Sequence, residues 1–234
     1  MGHKSQNVIT ADSQFIVNIE GISATENDGE ALLEMIDEAQ ENTRLEPKKV
    51  LSDGQYTTAA NFIGVQNRDL KLVGNIKEPV NPKGGYPANL FYCDPGDQTL
   101  TCPAGVKTSD TYRSENIQAT IYRFPQDKCN ACSLKEKCTK SNNGRKVSIN
   151  DGYSLILQAK DYLQTAEGKA DLKLRPRIER VNGILKNRFG LNVTKFWDAA
   201  KYKIQGYWAG IAYNLSRAVK LLHQQEQQPA CCTS

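Results

Sequence analysis

The order in which strand-type and helix-type patterns alternate over the first 76 residues restricts this chain more than any other feature it carries. Asn7-Val8-Ile9-Thr10 and Phe15-Ile16-Val17-Asn18-Ile19 are β-prone runs joined by Asp12-Ser13-Gln14, a hairpin signal. Asn27 with Glu30 three residues on reads as a helix start, and Leu32, Leu33, Ile36 and Ala39 follow at helical spacing. Lys48–Ser52 reads as a strand ending at Asp53-Gly54, Thr57–Gln66 as a helix, and Leu70–Ile76 as the next strand. A β-β-α-β-α-β order combines a hairpin with parallel crossovers, which places the chain in the α/β class with a mixed sheet. Asp53 stands where the Val50-Leu51 strand ends and Gly54 lets the chain turn. An acid there is either a turn residue or a site residue, because open α/β sheets gather ligands at the carboxyl ends of their strands.

Beyond Pro79 the composition shifts. Asn81–Pro87 is linker-like, and a polar segment holding Cys93, Cys102, Cys129, Cys132 and Cys138 runs to about Gly152. Cys129, Cys132 and Cys138 form a C-x2-C-x5-C cluster, and Cys102 opens a Cys-Pro-Ala-Gly turn. Two readings stand: free thiols, or a Zn²⁺ site in which Cys102, Cys129, Cys132 and Cys138 form a tetrahedral thiolate set, with Cys93 as a substitute ligand. Cys231-Cys232 lies in a polar tail and is given no structural part.

Leu174–Gly190 reads as one helix, with Pro176 suited to its first turn and Gly190 to the position just past its end. Ile178, Val181, Leu185 and Phe189 make its buried stripe, while Arg175, Arg177, Arg180, Lys186 and Arg188 supply cations. Glu179, the single acid of the segment, lies about 100° round the helix from Ile178. It is either an ion-paired surface glutamate or an acid reaching across the element that the helix packs on. A last helix over about Ala199–His223 carries Ile204, Trp208, Ile211, Leu215, Ala218 and Leu222 on one stripe, expected to be core.

The net charge of +4 is modest but unevenly placed: Leu172–His223 holds eleven Lys and Arg against two acids. Such a field suits a polyanion, duplex DNA above all, or else it is a solvated basic face. The sequence has no apolar run long enough to span a bilayer and no apolar signal core near Met1, so the expectation is a cytoplasmic protein with no membrane partner.

Taken together, Val50–Tyr56, the cysteine segment opening at Cys102-Pro103-Ala104-Gly105, Arg177-Ile178-Glu179-Arg180-Val181-Asn182-Gly183-Ile184-Leu185-Lys186 and the closing Ala212-Tyr213-Asn214-Leu215 resemble the carboxyl-terminal part of DDE-type insertion-sequence transposases. The branch in question carries a cysteine-rich insertion before its catalytic helix. The resemblance implies an RNase H-like mixed sheet with flanking helices, here lacking its first, central strand. It divides the chain into a partial α/β core (1–80), a cysteine-rich insertion (81–152), a catalytic-type helix with carboxyl-terminal helices (153–223), and a disordered tail (224–234).

It also implies a two-metal site for Mg²⁺ or Mn²⁺ built from three acids, Asp53 the second and Glu179 the third. That site directs in-line attack on a phosphodiester, first by water and then by the freed 3′-hydroxyl on target DNA. Arg175, Arg177, Arg180, Lys186 and Arg188 are expected at phosphates. The family's first acid sits upstream of the strand near His3, and Asp12, the nearest substitute, falls in the turn at that strand's far end. The expectation is therefore a truncated or degraded transposase, or one product of a split reading frame, inactive alone, with an amino-terminal fragment that would complete it or a homo-oligomer as its partner. The alternatives are a non-catalytic DNA-binding remnant and a zinc-stabilised interaction module.

Overall fold

The computed structural model describes residues 2–27, 29–81, 84–94, 96–196 and 198–227. It divides into one unit made of Met1–Asn75 with Asp161–Ser234 and a second made of Ile76–Lys160.

In the first unit, β1 (His3–Ile9) and β2 (Ile16–Ser23) form the expected antiparallel hairpin, both strands longer than their β-prone runs. The turn holds because the Thr10 hydroxyl accepts the Phe15 N–H at 2.9 Å and Gln14 adopts φ of 59°. Helix α1 (Leu32–Thr43) buries Leu32, Met35, Ile36 and Ala39 on one face. It begins later than the Asn27 signal suggests: the Asn27 side chain accepts the Gly29 N–H in a local turn, and Ala31 occupies the cap position without a side-chain bond. Strand β3 (Lys49–Ser52) pairs in parallel with β4 (Lys71–Gly74) across α2 (Ala59–Gln66), whose Thr58 cap accepts the Asn61 N–H at 3.2 Å. The single mixed sheet expected is instead two two-stranded sheets, β1-β2 and β3-β4, with no hydrogen-bonded pairing between them among the described residues.

The second unit is richer in strands than its polar sequence suggests. Strands β5 (Tyr92–Asp94), β6 (Thr99–Thr101) and β7 (Lys107–Thr108) form one antiparallel sheet. A second joins β8 (Thr111–Ser114), β9 (Ala119–Arg123) and β10 (Lys146–Asn150) in the order β10-β9-β8. Short helices α3 (Gln126–Asn130) and α4 (Lys135–Cys138) lie between β9 and β10 in the chain. Phe91, Leu100, Tyr122, Phe124 and Val147 make the core, with Cys93, Cys102, Cys129 and Cys138 packed against it.

Helices α5 (Tyr153–Gln164) and α6 (Ala166–Leu172) precede α7 (Pro176–Arg188) and α8 (Ala199–Glu226). The α5–α6 region is tied to the start of β3 by Lys49, whose Nζ donates to Glu167 at 2.5 Å and to Tyr162 and Asp171 at 2.9 Å. Helix α7 begins at Pro176 and is followed by Gly190 at φ of 75°, as its sequence signals require. Val181 and Leu185 from α7 and Ala209 and Tyr213 from α8 share one core cluster with Ile16, Ile19 and Leu191. Full burial of Val181 and Leu185 contributes about 1.5–3 kcal/mol each. Asn214 fixes α8 to β2 by accepting the Ile16 N–H at 2.9 Å and donating to the Ile16 carbonyl at 2.8 Å.

The apolar stripe on α8 is placed differently from the expectation. Ile204, Trp208, Ile211, Leu215 and Leu222 are exposed, Trp208 at 68%, whereas Tyr202, Gly206, Ala209, Gly210 and Tyr213 form the buried face. Small residues permit the close approach: a Cβ on Gly206 would stand 3.4 Å from Ile19. The helix continues to Glu226, so residues 224–226 belong to it and not to a disordered tail. Cys231 and Cys232 lie outside the described residues.

Candidate active site

The β3–α2 turn fixes Asp53. A Cβ on Gly54 would lie 2.8 Å from the Asn75 carbonyl, so the close passage of this turn by the end of β4 requires glycine. The Thr57 hydroxyl, placed between Gly54 O at 2.9 Å and Asn75 O at 3.0 Å, ties the same two segments. Asp53 Oδ1 accepts its neighbour Gly54's N–H at 2.5 Å, so the turn role that the Asp-Gly pair suggests is realised.

That oxygen also accepts a second bond. Arg175, at the cap position of α7, directs Nη2 to Asp53 Oδ1 at 3.2 Å and to Glu179 Oε1 at 2.9 Å, one helical turn along. Two carboxylates from opposite ends of this unit's sequence thus meet on one guanidinium nitrogen. Their oxygens can be no farther apart than those two contacts laid end to end. Both acids are solvent-accessible, with side chains 58% and 63% exposed, so neither is a core ion pair. Helix α7 is held here by its Val181 and Leu185 stripe and by Asn7 of β1, whose amide donates to Asn182 at 2.7 Å.

The remaining cations of α7 divide into two kinds. Arg177 donates to the Ala11 carbonyl at 2.7 Å and lies 3.9 Å from Asp12, so it braces the hairpin turn. Arg180, Lys186 and Arg188 are exposed and make no hydrogen bond or ion pair among the described residues. Asp12 is fully exposed and pairs with Arg177, and among the described residues it does not complete a metal-holding group with Asp53 and Glu179.

In the second unit, Cys102, Cys129, Cys132 and Cys138 line one cavity, and Cys93 is absent from its wall. All five cysteines are free thiols. Burial pushes the Cys138 thiol above its ordinary value. Among the described residues, no three Cys, His, Asp or Glu side chains are gathered closely enough to hold a metal ion.

Sequence reasoning named the two acids as candidates but missed what Arg175 does, since a cation in a basic stretch looks like a phosphate ligand. Its i, i+4 spacing to Glu179 was the available signal. It likewise missed Asn214, because a polar residue on an amphipathic helix gives no sign of clamping a strand.

No helix among the described residues is long and apolar enough to cross a membrane. No curated protein and no solved structure matches the chain. The family model described as "Transposase DDE domain" matches residues 101–219, a span that includes Glu179 and the four cavity cysteines and begins after Asp53. With just over half of its length matched in this way, the chain belongs to the transposase DDE domain family.

Proposed function

We propose that the chain acts in DNA transposition, as part of a metal-dependent enzyme that cleaves phosphodiesters at element ends and joins the freed 3′-hydroxyl to target DNA. Asp53 and Glu179 are two of its metal-holding acids. The observation that carries this reading is their convergence on Arg175. Their hard oxygen donors and open exposure suit Mg²⁺ or Mn²⁺, which keep several waters and take one or two carboxylates at a time. A pair of such ions would activate the attacking oxygen and stabilise the leaving one. The pair fits in donor type and access, and stops one carboxylate short of the three that the family resemblance implies.

Arg175 keeps the two acids together before a cation arrives, lowering the repulsion between them. Arg180, Lys186 and Arg188 are free to meet phosphates, and such contacts position DNA without reading its sequence. The third acid is assigned to an added strand, contributed by an amino-terminal transposase fragment. Strands β1 and β3 each pair with a single neighbour among the described residues, which leaves each an edge on which such a strand could form a ladder. Alone, the chain is expected to be inactive, because two carboxylates do not hold both ions in the geometry of an in-line displacement.

The test incubates the chain with Mg²⁺ or Mn²⁺ and end-containing DNA, with and without a fragment bearing the added strand, with Glu179→Gln as control. Cleavage that needs the fragment and is abolished by Glu179→Gln is the expected result. Salt-sensitive DNA binding with no cleavage in either arm would favour a second reading, a non-catalytic DNA-binding remnant, to which the exposed, unpaired cations of α7 already point.

A further inference from the structure

We propose that Cys102, Cys129, Cys132 and Cys138 are the four ligands of one structural Zn²⁺ that holds the Ile76–Lys160 unit together. The site is independent of the Asp53–Glu179 reading.

Three separate segments bring the sulfurs to one cavity. Cys102 ends the β6 side of a tight turn in which its N–H donates to Val106 O at 2.9 Å and Gly105 N–H donates back to Cys102 O at 2.8 Å. Gly105 takes φ of 81° there, a conformation that the Cys-Pro-Ala-Gly sequence supplies. Cys129 sits in α3, Cys132 just after it, and Cys138 ends α4. The loop before β5 closes on Cys138 so tightly that a Cβ on Gly85 would lie 2.2 Å from its carbonyl oxygen.

The sulfurs are already solvated as metal-bound sulfur would be. Leu134 N–H donates to Cys132 Sγ and Arg145 N–H to Cys129 Sγ, both at 3.4 Å. Backbone donors of this kind stabilise negative sulfur and fix ligand orientation.

Charge at the cavity points the same way. Four thiolates on Zn²⁺ carry a net charge of −2, and Lys128, Lys135 and Arg145 line the cavity. Arg145 donates Nη2 to the Tyr86 carbonyl at 2.7 Å, yet its Nε is buried with no partner. Metal binding would release the four thiol protons and leave an anionic centre to balance these cations. The sulfurs line one cavity without meeting at a point, and metal binding would draw Cys102 and Cys138, which carry no such backbone donor among the described residues, toward the two held sulfurs by rotation about χ1. Cys93 does not belong to the set: it packs beside Tyr122, whose hydroxyl it meets, outside the cavity wall.

The test uses the full chain, expressed with zinc and purified reduced. Elemental analysis should find about one zinc per chain, Cys129→Ser with Cys132→Ser should lower it at least tenfold, and Cys93→Ser should leave it unchanged. Because the double variant can fail to fold, a second measurement replaces zinc by Co²⁺ in the unaltered chain. The visible absorption of tetrahedral cobalt thiolate is expected. Reduced protein without zinc that also takes up no Co²⁺, equal loss on Cys93→Ser, or cysteines found paired as disulfides before reduction would each overturn the assignment.

Discussion

Eighteen buried apolar side chains among the described residues belong to the unit built from 1–75 and 161–234, and six to the unit of residues 76–160. The first number is a core of the kind that sustains a domain: α1, α2, α7 and α8 each contribute a face, and Val181 and Val65 are fully buried. The second is thin for 85 residues divided between two three-stranded sheets, two helices of four and five residues and the first eight residues of α5. A unit with so little apolar burial gains most from a covalent or metal cross-link. The five cysteines of the described residues all fall in that unit. The acids and the exposed cations of α7 fall in the first unit, where a packed helix can hold a carboxylate in place.

The sharpest way to break this contrast is to remove metal. Zinc affinity is folding free energy, on the order of 10 kcal/mol in small zinc modules. A strong chelator should therefore expose the amides of residues 76–160 to hydrogen exchange while β1, β2 and α7 stay protected. Uniform deprotection, or none, would erase the distinction between the two units.

Core truncation probes the other side of the comparison, and separates the two faces of α8 as well. Leu185→Ala should cost about 2–5 kcal/mol in urea unfolding, since Leu185 is 1% exposed. Leu215→Ala, on the exposed stripe of α8, should stay within about 0.5 kcal/mol. Comparable costs would mean that the stripe is packed after all.

The smallest effect concerns pH. Burial pushes the Asp171 carboxyl up, but hydrogen bonds from Tyr162 and Lys49 outweigh it and leave the group below its ordinary value. A depressed carboxyl stabilises the fold above the ordinary value near 4 and ceases to do so as pH falls through the lowered one. The urea midpoint of the first unit should drop on acidification below the ordinary carboxylate value, and Asp171→Asn should flatten that drop.

The hairpin, the β-α-β order and the α7 helix were legible because periodicity and end signals agree there: Pro176, Gly190 and the Val181–Leu185 spacing all describe the same element. Helix α8 was legible as a helix and misread in orientation. Hydropathy singles out its large residues, whereas the contact with β2 is made by Gly206, Ala209 and Gly210 flanked by Tyr202 and Tyr213. The start of α1 was misplaced because Asn27 uses its side chain in a local turn. The strands of the 76–160 unit were missed because two- to five-residue runs carry too little alternation to register. The two acids could be named from the sequence, but Arg175 as their common partner could not, since only folding brings Asp53 to the start of α7.

The central claim is that Asp53 and Glu179 form one cation-holding pair. Mn²⁺ binding to the whole chain tests it most directly, followed by water proton relaxation in the presence of excess zinc to occupy the thiolates. Asp53→Asn and Glu179→Gln should each weaken Mn²⁺ binding by about tenfold or more, and the double substitution should add little, because either change alone dismantles a shared site. Binding that survives both substitutions, or two independent losses that simply add, would contradict it.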